Sequence, residues 1–210
     1  MTDAAAAILL QPGFADPVHD SQKTFRAVLA AMSRPGTAAP LPGVLELPED
    51  MPAGALSILL SLADLDTPVW LHGPAADHAV AAWLSFNCGS PLAASAKEAA
   101  YALLDIRQSG AGLDPAFLAT LPVGVPDYPD RGATVIVAVS GTNGGCGARI
   151  SGPGIQGAGS IRIPGSNVRF WEYVRGQGEL FPLGLDFIFA SPGEVVCLPR
   201  STRIEEITCM

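Results

Sequence analysis

The sequence is poor in charged side chains, and basic ones are the scarcer kind. Asp, Glu, Lys and Arg make up 15% of the 210 residues, against about 25% in an average soluble protein. Twelve basic residues stand against twenty acidic ones, giving a formal net charge of −8. A negative chain is repelled by a phosphate backbone, so we exclude nucleic acid as a partner. Because 49% of the residues are hydrophobic, we expect another chain to cover part of the surface.

The sequence also lacks a long hydrophobic run. No apolar stretch approaches the roughly 18 residues of a membrane-spanning helix. A secretory signal peptide is not indicated either, because Asp3 stands where positive charge is expected and the apolar run at residues 4–10 is short. We therefore expect a cytoplasmic protein that does not contact membranes.

Metal-binding patterns are missing as well. The four cysteines, at positions 88, 146, 197 and 209, form no CxxC pair, which argues against zinc and iron–sulfur sites. The histidines form no HxxxH pair, and no GxSxG segment indicates an α/β-hydrolase. We expect reduced, mostly buried thiols and no bound metal.

Lysine is nearly absent. Only Lys23 and Lys97 could form the internal aldimine of a pyridoxal phosphate (PLP) enzyme. Lys23 falls on the polar face of a predicted helix and Lys97 in a polar turn, so both are predicted to be exposed. We expect no PLP.

Helical and strand patterns alternate along the chain, which predicts one α/β domain spanning residues 1–210. The first helix is predicted at residues 21–33, capped by Asp20 or Ser21, with Phe25, Val28, Leu29 and Met32 on one face. The clearest strand is 133–140, whose β-branched run is typical of burial on both faces. Further helices are predicted at 53–65, 75–86, 114–121 and 167–175, the last capped by Ser166, and further strands at 67–71 and 99–106.

Turn residues predict the connections. Asn143-Gly144 indicates a hairpin that returns through 148–151, and a second hairpin is predicted over 185–198. Residues 37–52 and 122–132 are predicted to be irregular. Hairpins among crossover helices imply a mixed sheet. At 99–106 a helix remains an alternative, because Ser95 and Glu98 have capping-box spacing.

One glycine-rich segment, GPGIQG at 152–157, matches the dinucleotide-binding pattern GxGxxG. That pattern requires a following helix whose N-terminus faces a pyrophosphate. Residues 158–165 instead contain two more glycines and a proline. We interpret the segment as a structural loop.

Three polar segments are candidate binding sites. Asp64 and Asp66 could bind a cation or act as an acid–base pair, although a turn before Pro68 explains them as well. Arg200 and Arg203 suit an oxyanion, and surface ion pairs explain them equally well. Arg34 is a third candidate anion contact, at a site where helix termination is the plain alternative.

Several segments together resemble a known family, the H subunit (PhnH) of the bacterial carbon–phosphorus lyase system. The resemblance covers nearly the whole chain in the same order. It is carried by these segments: FADPV (14–18), SQ (21–22), FR (25–26), AMSRPG (31–36), LADLDTPVWL (62–71), GATVI (132–136), GPGI (152–155), FPLGLD (181–186) and LPRSTR (198–203).

The resemblance implies a fold and a pathway role. The fold would be a three-layer α/β/α arrangement around a mixed sheet, similar to the large domain of PLP-dependent transferases but without PLP. The implied role is to support, together with the G, I and L proteins, the transfer of the ribose triphosphate of ATP onto an alkylphosphonate with release of adenine. The radical J subunit then cleaves the carbon–phosphorus bond. No catalytic residues are implied for this subunit, and it is expected to be inactive alone.

Two other functions stay open. The chain could be an autonomous small-molecule transferase that uses Asp64, Asp66 and the terminal arginines. It could instead be a binding protein that delivers a phosphonate or a nucleotide. For association, the low charge predicts a homodimer that also joins the other pathway subunits.

Overall fold

The structure, a computed structural model, describes residues 13–42, 45, 47, 51–76, 78–108 and 112–209. Five α-helices lie in these ranges: α1 (Pro17–Ser33), α2 (Ala53–Leu62), α3 (His78–Asn87), α4 (Pro115–Leu118) and α5 (Val168–Gln177). The strands are β1 (Ala39–Pro40), β2 (Val69–His72), β3 (Tyr101–Asp105), β4 (Val123–Val125), β5 (Tyr128–Gly132), β6 (Thr134–Ala138), β7 (Gly147–Ser151), β8 (Gly159–Arg162), β9 (Asp186–Ala190), β10 (Glu194–Leu198) and β11 (Arg203–Thr208). Most of the predicted elements are therefore confirmed within a few residues.

The main sheet has six strands in the order β1-β10-β9-β6-β3-β2. Strands β2, β3, β6 and β9 run parallel to one another, and β10 and β1 are antiparallel additions at one side. The α/β class and the mixed sheet are confirmed. The capping box at Ser95 yields only a single 3-10 turn, Ala96–Glu98, and β3 follows it, so the helical alternative at 99–106 is wrong.

Side chains of the central strands alternate between two cores, as the pleat of a sheet requires. Ile136 of β6 and Ile188 of β9 join one core with α1, α2 and α3. Val135 and Phe187 join the other, together with α4, α5 and part of a second sheet. Both faces of the main sheet are therefore covered, and this explains why β6 is apolar and buried from Val135 to Ala138.

The two smaller sheets each correct one prediction. Strand β6 is followed not by a hairpin partner but by β7, which pairs with β8 and β11 in a separate three-stranded sheet of order β11-β7-β8. Asn143-Gly144 lies in the connection between the two sheets. Residues 122–132, predicted to be irregular, form the two-stranded hairpin β4–β5. Local turn signals cannot distinguish a return to the same sheet from a crossing to another.

Helix α1 begins four residues earlier than predicted. Its N-cap is Asp16, whose Oδ1 accepts the backbone N–H of His19 at 3.1 Å, and a proline occupies the first turn, where its missing N–H has no cost. The buried face also differs. Phe25 and Leu29 are 48% and 57% exposed, because the smaller residues Thr24, Ala27 and Ala31 form the face that packs on the sheet.

Helix α5 begins one residue later than predicted. Its N-cap is Asn167, whose side chain accepts the N–H of Phe170 at 3.0 Å. Ser166, the predicted cap, is buried and accepts the indole N–H of Trp171 at 3.1 Å. Phe170 and Trp171 fill the core beside β9, whereas Val168 is exposed.

The cysteine prediction is half right. Cys197 is buried and Cys88 is half-buried, both as free thiols. Cys146 and Cys209 form a disulfide, so the expectation of four thiols is wrong for this pair. Their 63-residue separation gave no sequence signal, because only the pairing of β11 with β7 brings them together.

Helices of the described residues are all too short or too polar to cross a membrane.

Gly54 gives a test of the packing between α2 and the sheet. An added Cβ there would overlap the carbonyl oxygen of Ser191, so Gly54→Ala should lower the free energy of unfolding by about 1–3 kcal/mol. Gly176→Ala in α5 is the matched control, because its Cβ meets open space and should stabilise the helix by about 0.5–1 kcal/mol. Urea unfolding of both variants measures this, and equal stabilities would contradict the packing.

Candidate functional site

The Arg200 side chain is held in place by a carboxylate and two carbonyl groups. Its Nη2 and Nε lie 2.5 Å and 3.0 Å from Oδ2 of Asp186, and its backbone N–H lies 2.8 Å from Oδ1. Nη1 donates to the carbonyl of Pro129 at 2.6 Å, and Nη2 also reaches the carbonyl of Gly132 at 3.4 Å. Because most of its donors are used inside the protein, Arg200 has little capacity left for a ligand. These contacts agree with the ion-pair alternative that the sequence offered for Arg200.

The ion pair lies at the end of the main sheet where the parallel strands begin. Asp186 opens β9 and is in register with Thr134 of β6, while Arg200 follows β10, which runs the opposite way. The two carbonyl groups come from β5. One guanidinium thus joins the hairpin β4–β5 to the ends of β9 and β10.

A cleft of about 300 Å³ lies beside this pair. Its walls are the Gly152-Pro153 turn, Gly178 and Phe181 after α5, and the segment 200–203. Phe181 is 59% exposed at its rim. The segment GPGIQG is thus a turn whose first two residues line the cleft, and it is followed by β8 rather than by a helix, which confirms the structural-loop interpretation.

Arg203 differs from Arg200. It lines the same cleft, is exposed, and makes no ion pair or side-chain hydrogen bond to any residue that the structure describes. Its guanidinium is the group in the cleft that can bind an anion, since a planar fork of donors suits phosphate and phosphonate oxygens.

Several buried polar groups of the described residues have no hydrogen-bond partner, and one of them lines the cleft. Thr202 lines it and is only 4% exposed, and its Oγ1 has no hydrogen-bond partner among the described residues. The same holds for Oε1 of Gln177 and the hydroxyl of Tyr173 on α5, and burial raises the pKa of Tyr173 to about 12. Such groups are rare in native interiors, so this wall has unused hydrogen-bonding capacity.

Arg34 lies near the cleft without lining it. It is exposed at the C-terminus of α1, where its N–H donates to the carbonyl of Ala31. The adjacent Ser33 carbonyl packs so closely on Gly154 that a Cβ there would overlap it. Helix termination thus accounts for the backbone of Arg34, and its side chain is exposed to solvent.

Asp64 and Asp66 lie elsewhere. Oδ1 of Asp64 accepts the Thr67 hydroxyl and the Asp66 N–H, both at 3.0 Å, which is the turn alternative named from the sequence. This turn precedes β2 and so lies at the same end of the main sheet as Asp186. However, β2 is three strands away from β9, a distance of about 14 Å. Neither aspartate lines the cleft, and the described residues contain no cluster of three metal-ligating side chains.

A second cleft, of about 280 Å³, lies at the opposite end of the main sheet, where the parallel strands β6 and β9 end. Its lining is mostly apolar, from the start of α2 and from the ends of the two strands. Its guanidinium, Arg107, is engaged by Asp105, with Nη2 and Oδ2 2.7 Å apart, and by the carbonyl of Met51. Both lysines lie outside the two clefts: Lys23 pairs with Asp20 at 3.1 Å, and Lys97 is exposed.

Segments that resemble the PhnH family from sequence meet at the first cleft. A Cβ at Gly152 would lie 3.0 Å from the carbonyl of Ser201, and one at Gly184 would lie 3.5 Å from Cβ of Arg200. The N–H of Gly36 donates to the carbonyl of Cys197 at 3.1 Å. Four segments far apart in sequence thus form one region.

Comparison with known proteins gives the family. The sequence model of the family described as "Bacterial phosphonate metabolism protein (PhnH)" matches residues 12–205. The chain belongs to the PhnH family. A relative from Rhizobium meliloti (strain 1021), named "Alpha-D-ribose 1-methylphosphonate 5-triphosphate synthase subunit PhnH", is 30% identical over 192 residues, which cover 91% of this chain and 94% of that protein.

A second relative comes from Stutzerimonas stutzeri and is named "Putative C-P lyase subunit protein HtxG". It is 30% identical over 187 residues, covering 87% of this chain and 85% of the relative. The family assigned from residue motifs is therefore confirmed over almost the full length.

Sequence reasoning missed three residues of the region. None of the three was named as a site residue: Asp186 and Thr202 appear only within segments of the family resemblance, and Phe181 appears there and as an apolar residue of a turn-bounded segment. An acidic residue opening the otherwise apolar strand 186–190 was an available signal for Asp186, because a carboxylate at a strand end needs a partner when partly buried. Phe181 lies in a turn-bounded apolar segment, and the low charge of the chain predicts that such a side chain is exposed, as it is here.

Arg200 and Arg203 should respond differently to substitution. Asp186→Ala leaves Arg200 without its counter-charge, so the free energy of unfolding should fall by about 2–3 kcal/mol, less than for a fully buried pair because both side chains keep some solvent contact. Arg203→Ala should change it by less than about 0.5 kcal/mol. Urea unfolding compares the two, and equal losses would show that Arg203 is also structural.

Proposed function

We propose that this chain is a subunit of an assembly that synthesises a ribose 1-phosphonate 5-triphosphate from ATP and an alkylphosphonate. In that reaction a phosphonate oxygen forms a bond to C1 of the ribose, and the bond from C1 to adenine breaks. The observation that carries the proposal is membership of the PhnH family over residues 12–205, together with the names of two relatives that match most of the chain.

The role within the assembly is to bind and orient an anionic substrate. The cleft lining offers one available guanidinium, Arg203, with the hydroxyls of Ser201 and Thr202, and its described residues include no carboxylate, histidine, cysteine or lysine. Proton transfer and nucleophilic attack need such groups. The lining therefore suits substrate handling, with the reacting groups on another subunit.

Arg203 is the proposed contact to a phosphonate or triphosphate oxygen, and Arg200 positions the segment that carries it. Arg34 is a second candidate contact at the edge of the region. The aspartates 64 and 66 keep a structural role in this proposal, because their turn satisfies the Asp64 carboxylate. This weakens the alternative of an autonomous transferase that depends on them.

The proposed partners are the G, I, J and L subunits of the phosphonate pathway, in the cytoplasm. A single domain related to the large domain of PLP-dependent transferases, without PLP, belongs to the same proposal. In its support, the main sheet is mixed and covered by helices on both faces, and both lysines lie at the surface away from the clefts.

Reconstitution tests the proposal. The purified chain is incubated with ATP and methylphosphonate, first alone and then with the G, I and L proteins, and adenine release is measured. We expect no release by the chain alone, and release that depends on this chain in the mixture. Adenine release by the isolated chain would favour the autonomous enzyme, whereas binding without any effect on the mixture would favour a delivery protein.

Arg203→Ala in the reconstituted mixture should raise the half-saturating substrate concentration by about tenfold or more, because a hydrogen bond to a charged group contributes about 1.5–3 kcal/mol. Separate titrations of methylphosphonate and ATP show which anion contacts Arg203. Arg169→Ala is the control, since this exposed arginine lies on the first turn of α5, away from the cleft. Unchanged half-saturation for both substrates would remove Arg203 from the site.

Self-association is the second part of the proposal. Val18, Phe25 and Leu29 lie on one outward face of α1, with exposures of 76%, 48% and 57%, and contact with a second copy would remove this apolar face from water. We expect a homodimer in light scattering after size exclusion, and Leu29→Glu should raise the dimer dissociation constant by about tenfold or more. Gln22→Glu on the same face controls for charge alone. A monomer at high protein concentration contradicts the dimer.

A further inference from the structure

Two cysteines stand opposite each other at the end of the β7–β11 ladder. Thr208 of β11 is in register with Gly147 of β7, so the next antiparallel pair outward is Cys209 with Cys146. Their Cα atoms are 4.3 Å apart, close to the roughly 4.5 Å of a non-hydrogen-bonded pair. Strand pairing alone therefore brings the two sulfur atoms within bonding reach.

The other two cysteines have a different environment. Burial raises the pKa of Cys88 to about 11, and burial raises that of Cys197 still further, with the negative charge of Asp186 adding to it. Because the thiolate is the reactive form, these two thiols are poor nucleophiles. Cys209 is exposed and Cys146 is half-buried, so the cross-strand pair is accessible to a small thiol or disulfide.

The backbone at Cys146 is anchored independently of the sulfur. Its carbonyl accepts the hydroxyl of Ser166 at 2.8 Å and the N–H of Ile163 at 3.2 Å. These contacts fix Cys146 to the residues that connect β8 with α5. The partner cysteine, in contrast, follows a strand that pairs on one side only.

That strand, β11, is an edge strand, with β7 as its single neighbour. Its register shifts between Ile204 and Glu206, which interrupts the ladder in the middle. A cross-link at Cys209 restrains one end of β11, and Arg203 opens the other end at the cleft. A covalent bond at the far end thus limits opening of the strand that carries the proposed anion contact.

We propose that Cys146 and Cys209 are a reversible thiol–disulfide site that fastens β11 to β7. Its co-reactant is a low-molecular-weight disulfide such as oxidised glutathione. One cysteine thiolate attacks this disulfide, forming a mixed disulfide and releasing one glutathione thiolate. The second cysteine thiolate then attacks the mixed disulfide, so that the Cys146–Cys209 bond forms and a second glutathione leaves. The two cysteine protons end on the two glutathione molecules, and the two cysteines are oxidised as the added disulfide is reduced.

The chemistry of this site is independent of the proposed function, and only its effect on Arg203 rests on it. In reducing compartments, disulfides that form are usually transient and regulatory. The site accordingly gives β11 two states, a cross-linked strand and a strand held by its hydrogen bonds alone.

Thiol trapping tests the redox chemistry. The full chain is equilibrated in glutathione buffers of increasing oxidised fraction, unfolded in a fast alkylating reagent, and mapped by mass spectrometry. Cys146 and Cys209 should lose alkylation together, while Cys88 and Cys197 stay alkylated throughout. Cys146→Ser should abolish the cross-link, and the double variant Cys88→Ser, Cys197→Ala should leave it unchanged. Full alkylation of all four cysteines in every buffer overturns the proposal.

Hydrogen exchange tests whether the bond fastens the strand. Reduction of the wild-type chain should speed amide exchange at residues 203–208 by about tenfold or more, because the edge strand opens locally, while exchange in β6 and β9 should not change. The reduced wild type makes this comparison even if a cysteine variant folds poorly. Equal exchange of β11 in the two redox states overturns the proposal, and the result does not depend on any catalytic assay.

Discussion

The ion pair between Arg200 and Asp186 is the interaction on which the candidate site depends. It joins segments that the main-sheet hydrogen bonds do not join: the end of β10, the start of β9 and, through two carbonyl groups, the hairpin β4–β5. Both side chains are largely shielded from water, so removing one partner leaves a charge that is poorly solvated. Because Arg200 is fixed in this way, the residues that follow it, Ser201 to Arg203, are held in position as one wall of the cleft.

This constraint separates two arginines that look alike in sequence. Arg200 and Arg203 are three residues apart, yet the donors of Arg200 are used in internal hydrogen bonds and Arg203 faces the cleft. A guanidinium offers five N–H donors, and Arg200 uses most of them within the protein. The division is physically sensible, because an anion contact is useful only when the backbone that carries it is held still.

The character of the cleft agrees with membership of a family whose relatives are named as subunits. The described lining has a cation, an exposed aromatic ring and two hydroxyls, of which that of Thr202 has no partner, but it has no side chain that transfers protons near neutral pH. This lining is the basis of our proposal that the chain binds substrate while another subunit supplies the reacting groups. The outward apolar face of α1 is also consistent with a subunit, since a surface of this kind suits contact with another chain.

The sequence by itself determined the elements and the family. The β-branched run at 134–138, the Asp-Pro start of α4 and the hairpin at 186–198 follow from local backbone and side-chain preferences, and the family followed from short motifs in a fixed order. It also named the structural alternatives for Asp64, Asp66 and the GPGIQG segment, because turn chemistry is local.

Only the tertiary structure decided which strands are neighbours and which side chains have partners. Strand β7 belongs to a separate sheet rather than to the main one, and its pairing with β11 brings Cys146 to Cys209. Phe25 and Leu29 point outward because the face of α1 with the smaller side chains packs more closely on the sheet. Asp186 forms an ion pair with Arg200, whereas the Arg203 guanidinium stays free of internal contacts among the described residues, although the two arginines share one short segment. These outcomes depend on contacts between residues far apart in sequence, whose geometry local propensity does not encode.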